Sequence, residues 1–154
     1  MKLTTLCYIQ NGTTWLMLHR TKKDHDENEG KWIGVGGKLE AGESPEDCLY
    51  REVTEETGLV LTSHRFRGVV TFISDVWDDE MMFLYTSDSY KGKFKECDEG
   101  VLHWVEQSDI PNLKLWEGDK LFIDLLIKNH PFFSLKLVYE GEKLSSAYLD
   151  GRKI

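Results

Sequence analysis

Three glutamates, Glu52, Glu55 and Glu56, crowd the second half of a segment that reads as a helix over Ser44–Thr57. Spacings of three and four put Glu52 beside both of the others on the helix surface, where like charges oppose one another by roughly a few tenths of a kcal/mol per exposed pair. At about 100° per residue, Glu56 falls roughly 20° from Leu49 and 60° from Val53, the residues expected to face the core. Glu52 lies about 60° from Leu49 on the same side. Carboxylates at the margin of a buried face are costly unless cations meet them. A hard divalent metal bound through oxygen relieves that cost, and lets an acidic protein handle a phosphorylated small molecule. Alone, such a helix reads as a solvated acidic face with an Arg51–Glu55 ion pair. The glycines ahead of it, Gly36-Gly37 and Gly42, shift that reading toward a site, because they supply backbone freedom and exposed carbonyl and amide groups.

The charge balance agrees. The chain carries 19 basic and 27 acidic residues for a net charge of -8. Residues Glu40–Gly58 hold seven acids and one base, Arg51, so most of the excess sits in one loop and one helix. That acidity excludes a polymeric nucleic acid as the expected partner, since such binding neutralises phosphates with cations.

The elements that must position these residues fit one domain over residues 1–154, with 40% hydrophobic residues to build a core. Strands are expected at Thr4–Gln10 and Trp15–Arg20 around an Asn11-Gly12 hairpin, followed by a charged loop over Thr21–Lys31. A short strand over Trp32–Val35 ends in Gly36-Gly37. Ser44 caps the helix, Pro45 suits its first position, and Gly58 stops it. Further strands are expected at Arg65–Ile73, Met81–Thr86 and Val101–Val105, separated by turns over Asp75–Asp79 and Ser87–Gly92, and a second helix over Glu117–Asn129. A last hairpin pairs Ser134–Tyr139 with Lys143–Leu149. The class is α/β in the broad sense, α+β. Cys7, Cys48 and Cys97 are odd in number and widely spaced, so they read as buried hydrophobes in a reducing, cytoplasmic setting. No apolar run reaches membrane-spanning length, and the N-terminus reads as a strand rather than a leader.

The segment from Gly37 to Leu59 resembles the Nudix box, G-x5-E-x7-R-E-U-x-E-E-x-G-U with U aliphatic. Gly37, Glu43, Arg51, Glu52, Val53, Glu55, Glu56, Gly58 and Leu59 fill every specified position. A looser likeness runs over nearly the whole chain and is closest to MutT-type 8-oxo-dGTP diphosphatases, including their animal counterparts. It includes Lys31-Trp32, Asp98-Glu99 ahead of His103-Trp104, Ile110-Pro111 and Trp116.

The resemblance implies a Nudix fold, a mixed β-sheet sandwiched between helices. It also implies hydrolysis of a nucleoside diphosphate linked to another group, by water attacking phosphorus in the presence of Mg²⁺, with Mn²⁺ able to replace it. Glu52, Glu55, Glu56, Glu99 and the Gly36 carbonyl become the expected metal ligands. Glu52 or Glu55 is the expected acceptor of the water proton, with Glu99 as a further ligand or base. Arg51 orients a helix carboxylate, while Gly37, Glu43 and Gly58 shape the box. Arg20 and Lys38 are candidates for phosphate binding. Trp116 can stack on a base, and Glu117 or Asp119 can hydrogen bond a purine edge.

The animal enzymes carry an asparagine where this chain has Ile33, and two aspartates after a tryptophan where it has Trp116-Glu117-Gly118-Asp119. The complete box, with Trp116 and Asp119 retained, still favours a triphosphate diphosphohydrolase that cleanses 8-oxo-dGTP from the nucleotide pool and so protects DNA. Other Nudix substrates, or a non-catalytic nucleotide sensor, are the alternatives. ADP-ribose hydrolases typically carry a proline downstream of the box, and none occurs here between Pro45 and Pro111. The oligomeric state is left open.

Overall fold

The computed structural model describes residues 1–21, 27–95 and 99–154, so Cys97 and Asp98 and the middle of the charged loop lie outside the described residues. The chain runs β1 (Lys2–Asn11), β2 (Thr14–His19), β3 (Trp32–Ile33), β4 (Val35–Lys38), α1 (Pro45–Thr57), β5 (Val60–Leu61), β6 (Arg65–Ser74) and β7 (Glu80–Ser87). It continues with β8 (Tyr90–Lys91), β9 (Val101–Glu106), a 3₁₀ turn over Gln107–Asn112, α2 (Glu117–Ile127), β10 (Phe133–Glu140), β11 (Lys143–Leu149) and β12 (Arg152–Lys153).

The sheet is mixed. β1 runs parallel to β7, with Lys2 opposite Glu80, and β10 runs parallel to β6. The remaining pairs are antiparallel, in the order β12-β11-β10-β6-β7-β1-β2-β3, with β4 on β1 and β9 on β2. β1 is shared: Thr4–Cys7 pair with β4, while Gln10 and Asn11 pair with β2. Its side chains alternate between the two faces, as a strand requires. Leu6 and Tyr8 join a core with Met17, Leu84 and Phe122 of α2. Cys7 and Ile9 join a second core with Leu16, Tyr85, and Leu49 and Val53 of α1. The sheet therefore lies between the two helices, as the Nudix fold requires.

Helix α1 begins at a complete capping box. The Ser44 hydroxyl accepts from the Asp47 amide at 3.1 Å and the Asp47 carboxylate accepts from the Ser44 amide at 3.0 Å. It ends at Gly58, whose φ of 80° is left-handed.

Three expectations are corrected. The expected Trp32–Val35 strand is broken at Gly34, where a Cβ would lie 2.7 Å from the Cys7 carbonyl oxygen. Gly36 and Gly37 do not end a strand but pair within β4, opposite Leu6 and Thr5. They are glycines for closeness, not for turning: a Cβ at Gly36 would meet the Thr5 carbonyl oxygen at 1.9 Å. The expected turn over Ser87–Gly92 contains β8, which pairs with β5 beyond α1. Two-residue strands leave no detectable period in a sequence.

Candidate functional site

A cavity of about 430 Å³ opens between α1, β1, β4, β6, β7 and the start of α2. At one end stand Gly36, Gly37, Lys38, Glu52, Glu56, Glu99 and Arg20; at the other, Trp116 and Asp119. The sequence singles out all nine, Gly37 as a box residue and the others as metal or substrate candidates, and they line one cavity.

Arg51 organises the box. Its Nε donates to Glu43 Oε2 at 2.7 Å and its Nη2 donates to Glu43 Oε1 at 2.8 Å, a two-pronged grip. Its Nη1 donates to Glu52 Oε1 at 2.6 Å and to Glu55 Oε2 at 3.2 Å. Its Nη2 also donates to the Lys38 carbonyl at 3.0 Å, which ties the box loop to the helix. The Arg51 guanidinium, helped by the Glu40 amide, holds the Glu43 carboxyl down at about 2. Glu43 is thus an anion that remains charged and ties the box loop to Arg51 of α1.

Glu52 reaches the cavity because Gly37 has no side chain. A Cβ on Gly37 would lie 2.4 Å from the Glu52 carboxyl carbon. Burial raises the Glu52 pKa in spite of Arg51. Glu56 is 8% exposed, and its Oε2 is buried without a hydrogen-bond partner. Burial, then the charges of Glu99 and Glu52, push its pKa well up. Glu99 accepts from Arg20 Nη1 at 2.8 Å. Among the described residues no three His, Cys, Asp or Glu side chains close into a finished metal cage. What the cavity does present is an oxygen-only donor set with an orphaned buried carboxylate oxygen and a notch where a Cβ would intrude. Those features fit a hard divalent cation.

Two expected residues stand apart. Glu55 is 59% exposed at its side chain and lies on the outer side of the Arg51 fan, away from the cavity walls. Glu117 accepts from the Leu144 amide at 3.3 Å and ties α2 to the last hairpin, not to the cavity.

The other end is built differently. Asp119 is 4% exposed, and burial followed by the Glu80 charge raises its pKa to about 8, against the pull of Lys31. A carboxyl held neutral at physiological pH both donates and accepts hydrogen bonds. Trp116 precedes it by one turn. Its indole Nε1 donates to Asn28 Oδ1 at 2.9 Å, and its ring meets Tyr139 edge-on at 5.2 Å. Ile33, Phe72 and Met82 supply apolar walls. Thr4 donates to Glu80 at 2.6 Å, and both line the same end with Lys2 and Asn28. Sequence reasoning misses Thr4, Asn28, Phe72, Glu80, Met82 and Tyr139 as lining residues. The only available signal is strand alternation, which gives Thr4, Phe72 and Met82 a face but not a neighbour.

Gly118 has its own reason. A Cβ there would meet Leu137 Cδ1 at 2.5 Å and the Tyr139 hydroxyl at 2.6 Å, and that hydroxyl accepts from the Gly118 amide at 2.7 Å. No second aspartate fits at that position.

Comparison with known proteins gives a consistent picture. Residues 2–126 match the family model for the NUDIX domain. The chain is 33% identical over 160 residues to YvcI of Bacillus subtilis, described as an uncharacterized Nudix hydrolase, covering 100% of this chain and 98% of that protein. It is 30% identical over 132 residues to the oxidized purine nucleoside triphosphate hydrolase of Danio rerio, covering 84% and 81%. A crystal structure of a MutT protein from Bacillus halodurans superposes with a TM-score of 0.87 at 26% identity, covering 97% and 98%.

Proposed function

The chain belongs to the Nudix hydrolase family, and from that premise we propose that it hydrolyses purine nucleoside triphosphates, 8-oxo-dGTP first among them, to the monophosphate and pyrophosphate. The carrying observation is one cavity with two chemically opposite ends: carboxylates Glu52, Glu56 and Glu99 at one, Trp116 with buried Asp119 at the other. A nucleoside triphosphate has the same polarity, a flat base at one end and polyanionic oxygens at the other. The name of the Danio rerio relative supports the oxidised purine as substrate.

Glu52, Glu56, Glu99 and the Gly36 carbonyl would hold Mg²⁺ or Mn²⁺. A divalent metal held by these oxygens would supply charge neutralisation at the phosphates, a more acidic water and stabilisation of the leaving oxygen. Glu52 lines the cavity and Glu55 does not, which favours Glu52, aimed by Arg51, as acceptor of the water proton. Lys38 and Arg20 line the same end and suit phosphate oxygens. Trp116 stacks on the base, and a neutral Asp119 both donates to and accepts from its edge. Such an enzyme would act in the cytoplasm to keep oxidised guanine out of DNA. For the described residues, no helix is long and apolar enough to cross a membrane.

The test is a hydrolysis panel of 8-oxo-dGTP, dGTP and other nucleoside triphosphates with Mg²⁺, reading pyrophosphate against orthophosphate. We expect 8-oxo-dGTP to be hydrolysed fastest, with pyrophosphate released. Equal rates for dGTP would overturn the sanitising role, and orthophosphate alone would overturn the bond assigned. Tight binding without turnover would favour the sensor reading.

A further inference from the structure

Lys31 is 5% exposed, yet its ammonium lies 4.2 Å from the centroid of the Trp116 ring. It donates to Glu142 Oε1 at 2.5 Å, and Glu142 itself is 73% exposed at its side chain. Lys31 is absent from the walls of the nucleotide-sized cavity that Trp116 lines. It faces a neighbouring depression with Glu27, Trp77 and Glu142. The ammonium therefore covers the indole from outside the cavity lining, while Trp116 itself lines the cavity.

The backbone holds this arrangement in place. The Lys31 amide donates to the Asn28 carbonyl at 2.9 Å, and the Lys31 carbonyl accepts from the Arg20 amide at 3.0 Å. The same short turn supplies Asn28 Oδ1 to the indole Nε1. One turn thus holds the ring by its edge and places an ammonium over one face. The hairpin carrying Glu142 is fastened in turn, since the Gly141 amide donates to Asp75 Oδ1 at 2.8 Å. A buried ammonium costs free energy unless its partners repay desolvation. An indole face and one carboxylate at a sheltered site do so, and the ring loses its freedom to rotate.

We propose that Lys31, held by Glu142, is a positioning residue for base recognition: it braces one face of Trp116 so that the ring is presented, preorganised, to a purine. The proposal rests on the reading that Trp116 stacks on the substrate base. Lys31 touches neither the reacting phosphates nor the carboxylates of α1, so its effect falls on base affinity and not on the chemical step. An ordered stacking platform spares the ligand the cost of ordering it.

The experiment is calorimetric binding of two probes, 8-oxo-dGMP without metal, which is independent of the metal site, and pyrophosphate with Mg²⁺, which is independent of the base, alongside KM and kcat for 8-oxo-dGTP. Lys31→Met should weaken 8-oxo-dGMP about tenfold and raise KM alike, with kcat and pyrophosphate binding unchanged. Lys31→Arg should restore binding, because a guanidinium also stacks on indole. Glu142→Lys, at a position 73% exposed at its side chain, should weaken 8-oxo-dGMP several-fold through repulsion of Lys31. If the wild type binds 8-oxo-dGMP and the Lys31→Met and Glu142→Lys variants bind it equally well, the proposal falls and the proposed function stands. If both probes weaken together, Lys31 is merely structural and the proposal falls. If no purine monophosphate binds the wild type, the proposed function falls and takes this proposal with it.

Discussion

Glu52 and Glu56 come from a single helix turn, and their partners Gly37, Glu43 and Arg51 come from within the same 23 residues of box. Trp116 and Asp119, at the far end of the cavity, depend on Lys2, Thr4, Asn28, Ile33, Phe72, Glu80, Met82 and Tyr139, which are scattered along the chain. The first end gathers charge that the fold would rather separate, and Arg51 keeps it ordered. The second end sets an aromatic face and one buried carboxyl among apolar side chains and the Lys2–Glu80 pair. A site for phosphate chemistry can be encoded locally because carboxylates on one helix need only the right spacing. A site for a base needs walls, and walls come from strands that pair over long separations.

Breaking each end separately is the sharpest test of this contrast. The largest effect is expected from Glu52→Gln and Glu56→Gln, each of which should lower kcat by at least ~100-fold in a pyrophosphate-release assay while leaving 8-oxo-dGMP affinity intact. A near-normal kcat would remove that residue from the metal end. Trp116→Ala should do the reverse, raising KM for purine triphosphates by roughly 10- to 100-fold, from the loss of a base-stacking surface. Its kcat at saturation should change little.

Two glycines make a matched pair. Gly37→Ala drives a methyl into the Glu52 carboxylate, and Gly118→Ala drives one into Leu137 and Tyr139. The first should cut kcat about tenfold and weaken Mg²⁺ binding. The second should raise KM several-fold, with kcat retained, as overpacking displaces the start of α2. Exchange of these two phenotypes would show that the cavity is misoriented.

Asp119 sharpens the contrast in pH. Its folded pKa of about 8 stands above its ordinary 3.8, so between those values the folded state keeps a proton that the unfolded chain releases. Stability should therefore fall as pH rises from about 4 to about 8 and level off beyond. Asp119→Asn should flatten that slope in urea titrations, and it should remove the rise in KM expected for the wild type above about pH 8. An unchanged slope would mean that Asp119 ionises freely. The smallest effect is expected at Ile33: Ile33→Asn places an amide at the cavity wall and should lower KM for 8-oxo-dGTP a few-fold, with no change in kcat.

What was legible in the sequence follows the same division. Ser44, Pro45 and Gly58 delimit α1 because capping is a local interaction, and the helix spans Pro45–Thr57 as expected. Glu52 and Glu56 fall where their angular offset from Leu49 puts them. Glu55 shares the motif but not the cavity, since one residue of helix turns it about 100° away from Glu56. Gly36 and Gly37 were legible as important but not for the right reason. Their closeness to Thr5 and Glu52 is a tertiary fact. Lys31 was legible as the end of a charged loop and as part of the Lys31-Trp32 likeness, but not as the partner of an indole. Nothing nearby announces an indole from residue 116 or a carboxylate from residue 142.

Strand β1 carries a consequence for how the molecule comes into being. Its hairpin with β2 can form as soon as the first twenty residues exist. Its parallel partner β7 ends at Ser87, and the parallel pair β6–β10 must wait for Phe133–Glu140. Closing such long loops before their contacts reward it is slow. Refolding should accordingly show early protection at β1–β2 in hydrogen exchange and late protection at β6–β10. A nascent chain would carry its acidic box, complete in sequence, well before the far strands give it a cavity to face.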